Sequence, residues 1–228
     1  MLLAIVLTTS IVIFFGPQLW AGYLLKRYST RVEDFPGTGG ELAVHLANKF
    51  TLEEVKVERS AQKNDHYDPE KKAIRLAENI YDGKSMTAIV VSAHEIGHAI
   101  QHATGYRPFF LRWRLARFIS YTEKLAAMLL VVFPFAALLT RSPALGVLMF
   151  LVGVSTLLLP VLFHLITLPV ELDASFNRAL PILIAGQYIP EPGIPAAKQI
   201  LLAAALTYVA ASLASVFNFY RWIAILRR

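Results

Sequence analysis

The chain has 228 residues, 56% of them hydrophobic and 17% charged, with a mean hydropathy of +0.51, which is more apolar sequence than a soluble domain of this size has use for. Its 22 Lys+Arg against 16 Asp+Glu give a formal charge of +6, but the arginines sit beside apolar segments, which argues for a membrane and against nucleic acid. The absence of cysteine excludes disulfides and thiolate ligands, so a metal would have to be held by histidines and carboxylates.

Residues 2–25 form an apolar run long enough to span a bilayer. It lacks a basic leader and a small-residue cleavage site, so it reads as an uncleaved membrane helix. Lys26, Arg27 and Arg31 follow, which by the positive-inside rule puts the next section in the cytoplasm. Pro36-Gly37-Thr38-Gly39-Gly40 opens a polar section that runs to about Pro108. Within it, Leu42, Val44, Leu46, Ala47 and Phe50 repeat at helical spacing, and residues 55–59 alternate with period two. Residues 73–76 are the expected partner of 55–59 in a small β-hairpin, with 64–69 as the connection. The hairpin's edge would lie over the next helix, where an extended peptide could add by strand pairing. His66 and Tyr67, in the connection, are either an ordinary polar turn or face a substrate.

The polar section ends in Ser92-Ala93-His94-Glu95-Ile96-Gly97-His98-Ala99-Ile100-Gln101-His102, and His94-Glu95-x-x-His98 carries the chemistry. Residues four apart share a helix face, so both imidazoles can reach one metal ion while Glu95 points into the same cleft. Two neutral imidazoles suit Zn²⁺ and leave room for a third protein ligand and a water. A carboxylate beside that water can take its proton as general base and return it to the leaving amine. Met86 to Val91 lead into the helix, Ala93, Gly97 and Ala99 allow close packing, and Thr104-Gly105 stops it. His102 continues the face one turn on, but Gln101 and Thr104 stand where the longer HExxHxxGxxH signature needs glycine and histidine. His102 therefore supports a ligand or simply ends the helix.

Beyond Pro108, Arg112, Arg114 and Arg117 run with Phe109, Phe110, Trp113 and Phe118, a basic amphipathic stretch suited to a membrane surface. Residues 125–139 and 144–168 read as two further spans joined by Thr140-Arg141-Ser142-Pro143, a helical hairpin that returns Glu171 to the side of His94. His164 lies in the second of these, near its end, as a packing histidine or a functional one. Residues 200–217 could make a fourth span, placing Arg221, Arg227 and Arg228 on the far side. The third metal ligand is expected just past the third span, where Glu171 is favoured over Asp173 and the other acid would orient a ligating histidine. Both acids could equally cap a helix start there.

His94 to Tyr106, preceded by Asp65-His66-Tyr67-Asp68-Pro69 and Glu78-Asn79-Ile80-Tyr81-Asp82-Gly83 and followed by Leu168-Pro169-Val170-Glu171-Leu172-Asp173-Ala174-Ser175, resembles the YugP-type family of neutral zinc metallopeptidases of bacterial membranes. The likeness runs from Gly37-Thr38-Gly39-Gly40 almost to the C-terminus and includes residues 203–210. More distantly, the chain is similar to the HtpX-type gluzincin membrane proteases, in which the glutamate opening a Glu-x-x-Ala-Asp helix is the third zinc ligand. Glu171 and Ala174 match that pattern, but Ser175 replaces the aspartate and leaves Asp173 or Asn177 as substitutes.

These readings together predict a mainly α integral membrane protein with three to four transmembrane helices and a small α+β gluzincin-like zinc-protease section. The expected divisions are an N-terminal span at 1–27, a cytoplasm-facing catalytic section at 28–110, a surface helix and transmembrane hairpin at 111–169, a third-ligand helix at 170–190 and an apolar helix at 191–228. The expected activity is a zinc metalloendopeptidase with one Zn²⁺ held by His94, His98 and Glu171 and with Glu95 as base. Asp173, His66, Tyr67, His102 and Arg178 are supporting or substrate-facing candidates. The expected partners are a protein or peptide substrate and the lipid bilayer, with room for a regulatory membrane protein or a homo-oligomer. The rival reading is a catalytically idle zinc-containing membrane scaffold.

Overall fold

The computed structural model describes residues 2–30, 32, 35–62, 64–140 and 143–226. Helix α1 is Leu2–Arg27 and α2 is Gly39–Lys49. Thr38 caps α2 in a capping box: its hydroxyl accepts from Glu41 N at 3.2 Å, and the Glu41 carboxylate accepts from Thr38 N at 2.7 Å. Strands β1 (Lys56–Arg59), β2 (His66–Asp68) and β3 (Ala73–Leu76) follow, then short α3 (Glu78–Tyr81) and α4 (Met86–Ala103). The Ser85 hydroxyl accepts from Ala88 N at 3.1 Å to start α4, and Thr104 closes it before Gly105, whose φ of +69° suits glycine.

The sheet corrects the expected hairpin. Its order is β1-β3-β2, with β1 parallel to β3 and β2 antiparallel to it. The stretch read as a connection is thus itself a strand, too short and too polar to show a period. Ala73, Ile74 and Leu76 are buried because β3 is central, and Arg75 reaches an acid on each neighbour: Asp68 at 2.8 Å and Glu58 at 3.4 Å. Asp68 also accepts from Glu70 N and Lys71 N, which folds the tight turn between β2 and β3. The edge strand beside the metal helix is β2.

Helices α5 (Arg107–Thr140) and α6 (Pro143–Leu172) come next, then a π-helical segment (Asp173–Ala179), α7 (Leu180–Ala185), a 3₁₀ turn and α8 (Ile194–Leu226). Glu171 does not open a new helix, as the sequence suggested. It sits in the last turn of α6, which runs on into the π segment. The core lies between α2, β3, α4, α7 and the start of α8, where Leu46, Ile74, Leu76, Ile96, Leu183 and Leu201 are all fully buried.

The expected three to four transmembrane helices are overturned. Among the described residues a single stretch, Glu191–Ala211, is long and apolar enough to cross a membrane, with a mean hydropathy of 1.5. The other apolar runs are helical, but α1 packs on α8, α5 on α6 and α6 on α8. Helix packing and lipid make the same demand on sequence, so length and hydropathy could not separate them. Arg31, Arg141, Ser142, Arg227, Arg228 and the side chain of Arg221 lie outside the described residues.

Candidate metal centre

Helix α4 is buried along most of its length, and its His94 and His98 face the final turn of α6. The Nε2 atom of His94 lies 3.2 Å from Glu171 Oε2, and that of His98 lies 3.6 Å from Glu171 Oε1. One ligand atom from each of His94, His98 and Glu171 falls within 4.8 Å of the others, a separation that an ion of zinc's size could bridge. The Glu171 carboxylate is buried, and a buried negative charge calls for positive charge beside it, which a cation would add to that of Arg112. Gly97 makes this approach possible: a Cβ there would lie 2.7 Å from the carbonyl oxygen of Ala174. Only a residue without a side chain lets the π segment lie against α4.

Outer contacts fix the rings. Gln101, fully buried, donates from its Nε2 to Val170 O and to Asp173 Oδ2, both at 2.8 Å. Its amide orientation is thereby set, so its Oε1 accepts from His98 Nδ1 at 3.0 Å and leaves the Nε2 lone pair of His98 toward Glu171. The Ser175 hydroxyl does the same for His94 Nδ1 at 3.1 Å. Asp173 is held in turn by Arg178 at 2.7 Å and Asn177 at 3.1 Å. The serine that departs from the expected aspartate therefore orients His94, while Asp173 serves His98 through Gln101. Glu171 and Ser175, four residues apart across the junction of α6 and the π segment, both reach His94.

The electrostatics follow from burial. Burial pushes the Glu171 carboxyl up, but the neighbouring His98 and His94 outweigh it and hold the carboxyl well below its usual range. Arg112 Nη1, from the first turns of α5, pairs with Glu171 Oε1 at 3.0 Å. Burial likewise raises Asp65, which ties β2 to the start of α3 by accepting from Ala77 N at 2.7 Å.

These groups line a cavity of about 230 Å³. Its lining includes Asp65, His66 and Tyr67 from the β2 side, and His94, Glu95 and His98 from α4. Phe109, Arg112 and Trp113 from α5, Phe163 and Glu171 from α6, and Tyr208 from α8 line it as well. Of the sequence candidates, His66 faces the cavity with a buried, unpartnered Nδ1. Tyr67 also lines it, with its hydroxyl on His102 Nδ1 at 2.8 Å and its pKa pushed up to about 12 by burial and the nearby Asp68 charge. His102 is enclosed by Tyr67, Phe109, Phe110 and Trp113 and touches no metal ligand, which fits the helix-end reading. Arg178 lies over the Tyr106 ring beside Asp173 and is absent from the cavity lining. His164 packs edge-on to Phe163.

Three contacts of the site are not legible in the sequence. Gln101 reads there only as a mismatch to the longer signature, and Ser175 only as a lost aspartate. Arg112 reads as part of a membrane-surface stretch, although a buried carboxylate calls for a counter-charge.

A family model described as "Putative neutral zinc metallopeptidase" matches residues 3–227. The chain is also similar to "Putative membrane protease YugP" of Bacillus subtilis (strain 168), with 36% identity over 216 residues covering 92% of each sequence. No solved structure matches the chain.

Proposed function

The chain belongs to this neutral zinc metallopeptidase family, and from that premise we propose that it is a membrane-bound zinc metalloendopeptidase acting on membrane or membrane-proximal proteins. The observation that carries the reading is the convergence of His94, His98 and Glu171 on one point, with Glu95 in the same cavity. His94, His98 and Glu171 would hold one Zn²⁺. When bound, the ion acts as a Lewis acid that acidifies water and polarises a carbonyl.

The chain's own groups do the rest. Glu95 accepts the proton of the attacking water and delivers it to the leaving amine. Gln101 and Ser175 keep both imidazoles in the tautomer that turns Nε2 inward, and Asp173 anchors Gln101. An extended peptide adds along the free edge of β2, with His66 beside its backbone and its side chains among Phe109, Trp113 and Phe163. The membrane association rests on the name of the relative and on the single apolar stretch Glu191–Ala211.

The test is zinc content and proteolysis of the detergent-purified protein beside Glu95→Gln. About one zinc per chain in both, with cleavage in wild type alone, supports the enzyme. Equal behaviour of the two proteins would leave the idle scaffold.

A further inference from the structure

We propose that Ala116 sets the substrate preference of this peptidase. The space that its small side chain leaves receives one large apolar side chain from a residue beside the scissile bond, so leucine, methionine and phenylalanine are favoured there. The proposal rests on the peptidase reading and names a substrate class for it.

Phe109, Arg112, Trp113 and Ala116 all line the metal cavity. Their spacing of i, i+3, i+4 and i+7 puts them on one face of α5. Two contacts fix where the metal ligands lie along this face. The Phe109 ring is 6.3 Å from that of His98, and Arg112 pairs with Glu171 at 3.0 Å. Ala116 comes one turn later, about 6 Å further along the helix than Arg112.

Helix α6 gives the same direction. It starts three residues after α5 ends and packs on it, so the two helices run antiparallel. Phe163 precedes Glu171 by eight residues, about 12 Å of helix, and is displaced from the ligands in the same sense as Ala116. Both nevertheless line the cavity that Glu171 lines. The cavity therefore extends from the metal ligands along α5 and α6, and Ala116 and Phe163, which line this recess, are apolar.

Of the four residues that α5 contributes, Ala116 is the small one. A cavity of about 230 Å³ exceeds the ~150 Å³ that holds benzene in an apolar protein interior, so a ring or a branched aliphatic group fits beside the reacting amide. An apolar recess rewards burial of such a group and penalises a charged or amide side chain that must give up its hydration. A longer side chain at position 116 would fill the space itself.

The experiment uses full-length, zinc-loaded protein in detergent and compares wild type with Ala116→Phe, Ala116→Val and Phe163→Ala. Cut positions in a mixed peptide library are read from product masses. The ratio of kcat/KM is then measured for two peptides that differ only in leucine or alanine beside the bond cut. Affinities for the same pair are measured on Glu95→Gln, with and without Ala116→Phe. Wild type is expected to favour the leucine peptide about 10²-fold, and Glu95→Gln to bind it more tightly than the alanine peptide. Ala116→Phe should bring both ratios to about one or below, and Ala116→Val should lower the kcat/KM ratio partway. Phe163→Ala should raise cleavage beside tryptophan relative to leucine. A wild type without preference for large apolar residues overturns the proposal. So does an equal loss on both peptides in the Ala116 variants, which would make Ala116 a packing residue. Should Ala116→Phe fail to hold zinc, Ala116→Val decides by the same ratio. Absence of Glu95-dependent cleavage by wild type sinks the peptidase reading, and binding then decides the recess separately. A leucine preference removed by Ala116→Phe supports it, and equal binding of the two peptides overturns it.

Discussion

Helix α4 and the end of α6 supply the same centre in different ways. His94 and His98 lie four residues apart on α4, a regular, capped and buried helix, so their mutual geometry is local. Glu171 comes from the last turn of a 30-residue helix, two residues after Pro169, which cannot donate a backbone hydrogen bond, and directly before seven π-helical residues. Its position depends on Gly97 allowing contact, on Gln101 bonding to Val170 O, and on Arg112 balancing its charge. One half of the centre is built by helical periodicity and the other by tertiary contacts. Perturbing each half separates them.

The largest effect is expected from Glu171→Ala. Zinc should fall from about one per chain to near zero, while α4 stays folded by circular dichroism. Retained stoichiometric zinc would mean that another group, such as Asp173, is the true third ligand. Next comes Gly97→Ala, whose new methyl would press on the Ala174 backbone. About 2 kcal/mol of stability should be lost in denaturant unfolding, together with weaker zinc binding, because α4 and the π segment must part. An unchanged midpoint would show that the two elements are not closely coupled.

Gln101→Leu and Asp173→Ala should each weaken zinc about 10- to 100-fold in chelator competition, and the double variant should lose little more than either single one. Additive losses would break the inferred relay from Asp173 through Gln101 to His98. Ser175→Ala should act on the His94 side alone and add to either.

The smallest effect concerns the rim of the cavity. Tyr67→Phe removes the bond to His102 and should cost about 1 kcal/mol. Burial, with Lys72 nearby, lowers the pKa of His102 below its ordinary 6.5, so the folded state favours the neutral ring. Its contribution to stability is then present above pH 6.5 and is lost as pH falls through the lower folded-state value. Unfolding midpoints measured from pH 8 to 5 should show this decline, and His102→Gln should flatten it.

The HExxH helix, its stop at Thr104-Gly105 and the amphipathic α2 are legible in the sequence because each follows from spacing along the chain or from a motif, and Glu171 is proposed there as third ligand from its place just past an apolar run. Tertiary structure decided what depends on residues far apart. That β1 pairs with β3 in parallel, and that β2 adds to the other edge of β3, cannot be read from a three-residue polar segment. Whether an apolar run meets lipid or another helix cannot be read from hydropathy, since both environments reward the same side chains. Ser175, Gln101 and Arg112 take their roles from the histidine or carboxylate that each meets in the folded chain. A serine, an amide and a guanidinium have no fixed role until folding supplies their partners.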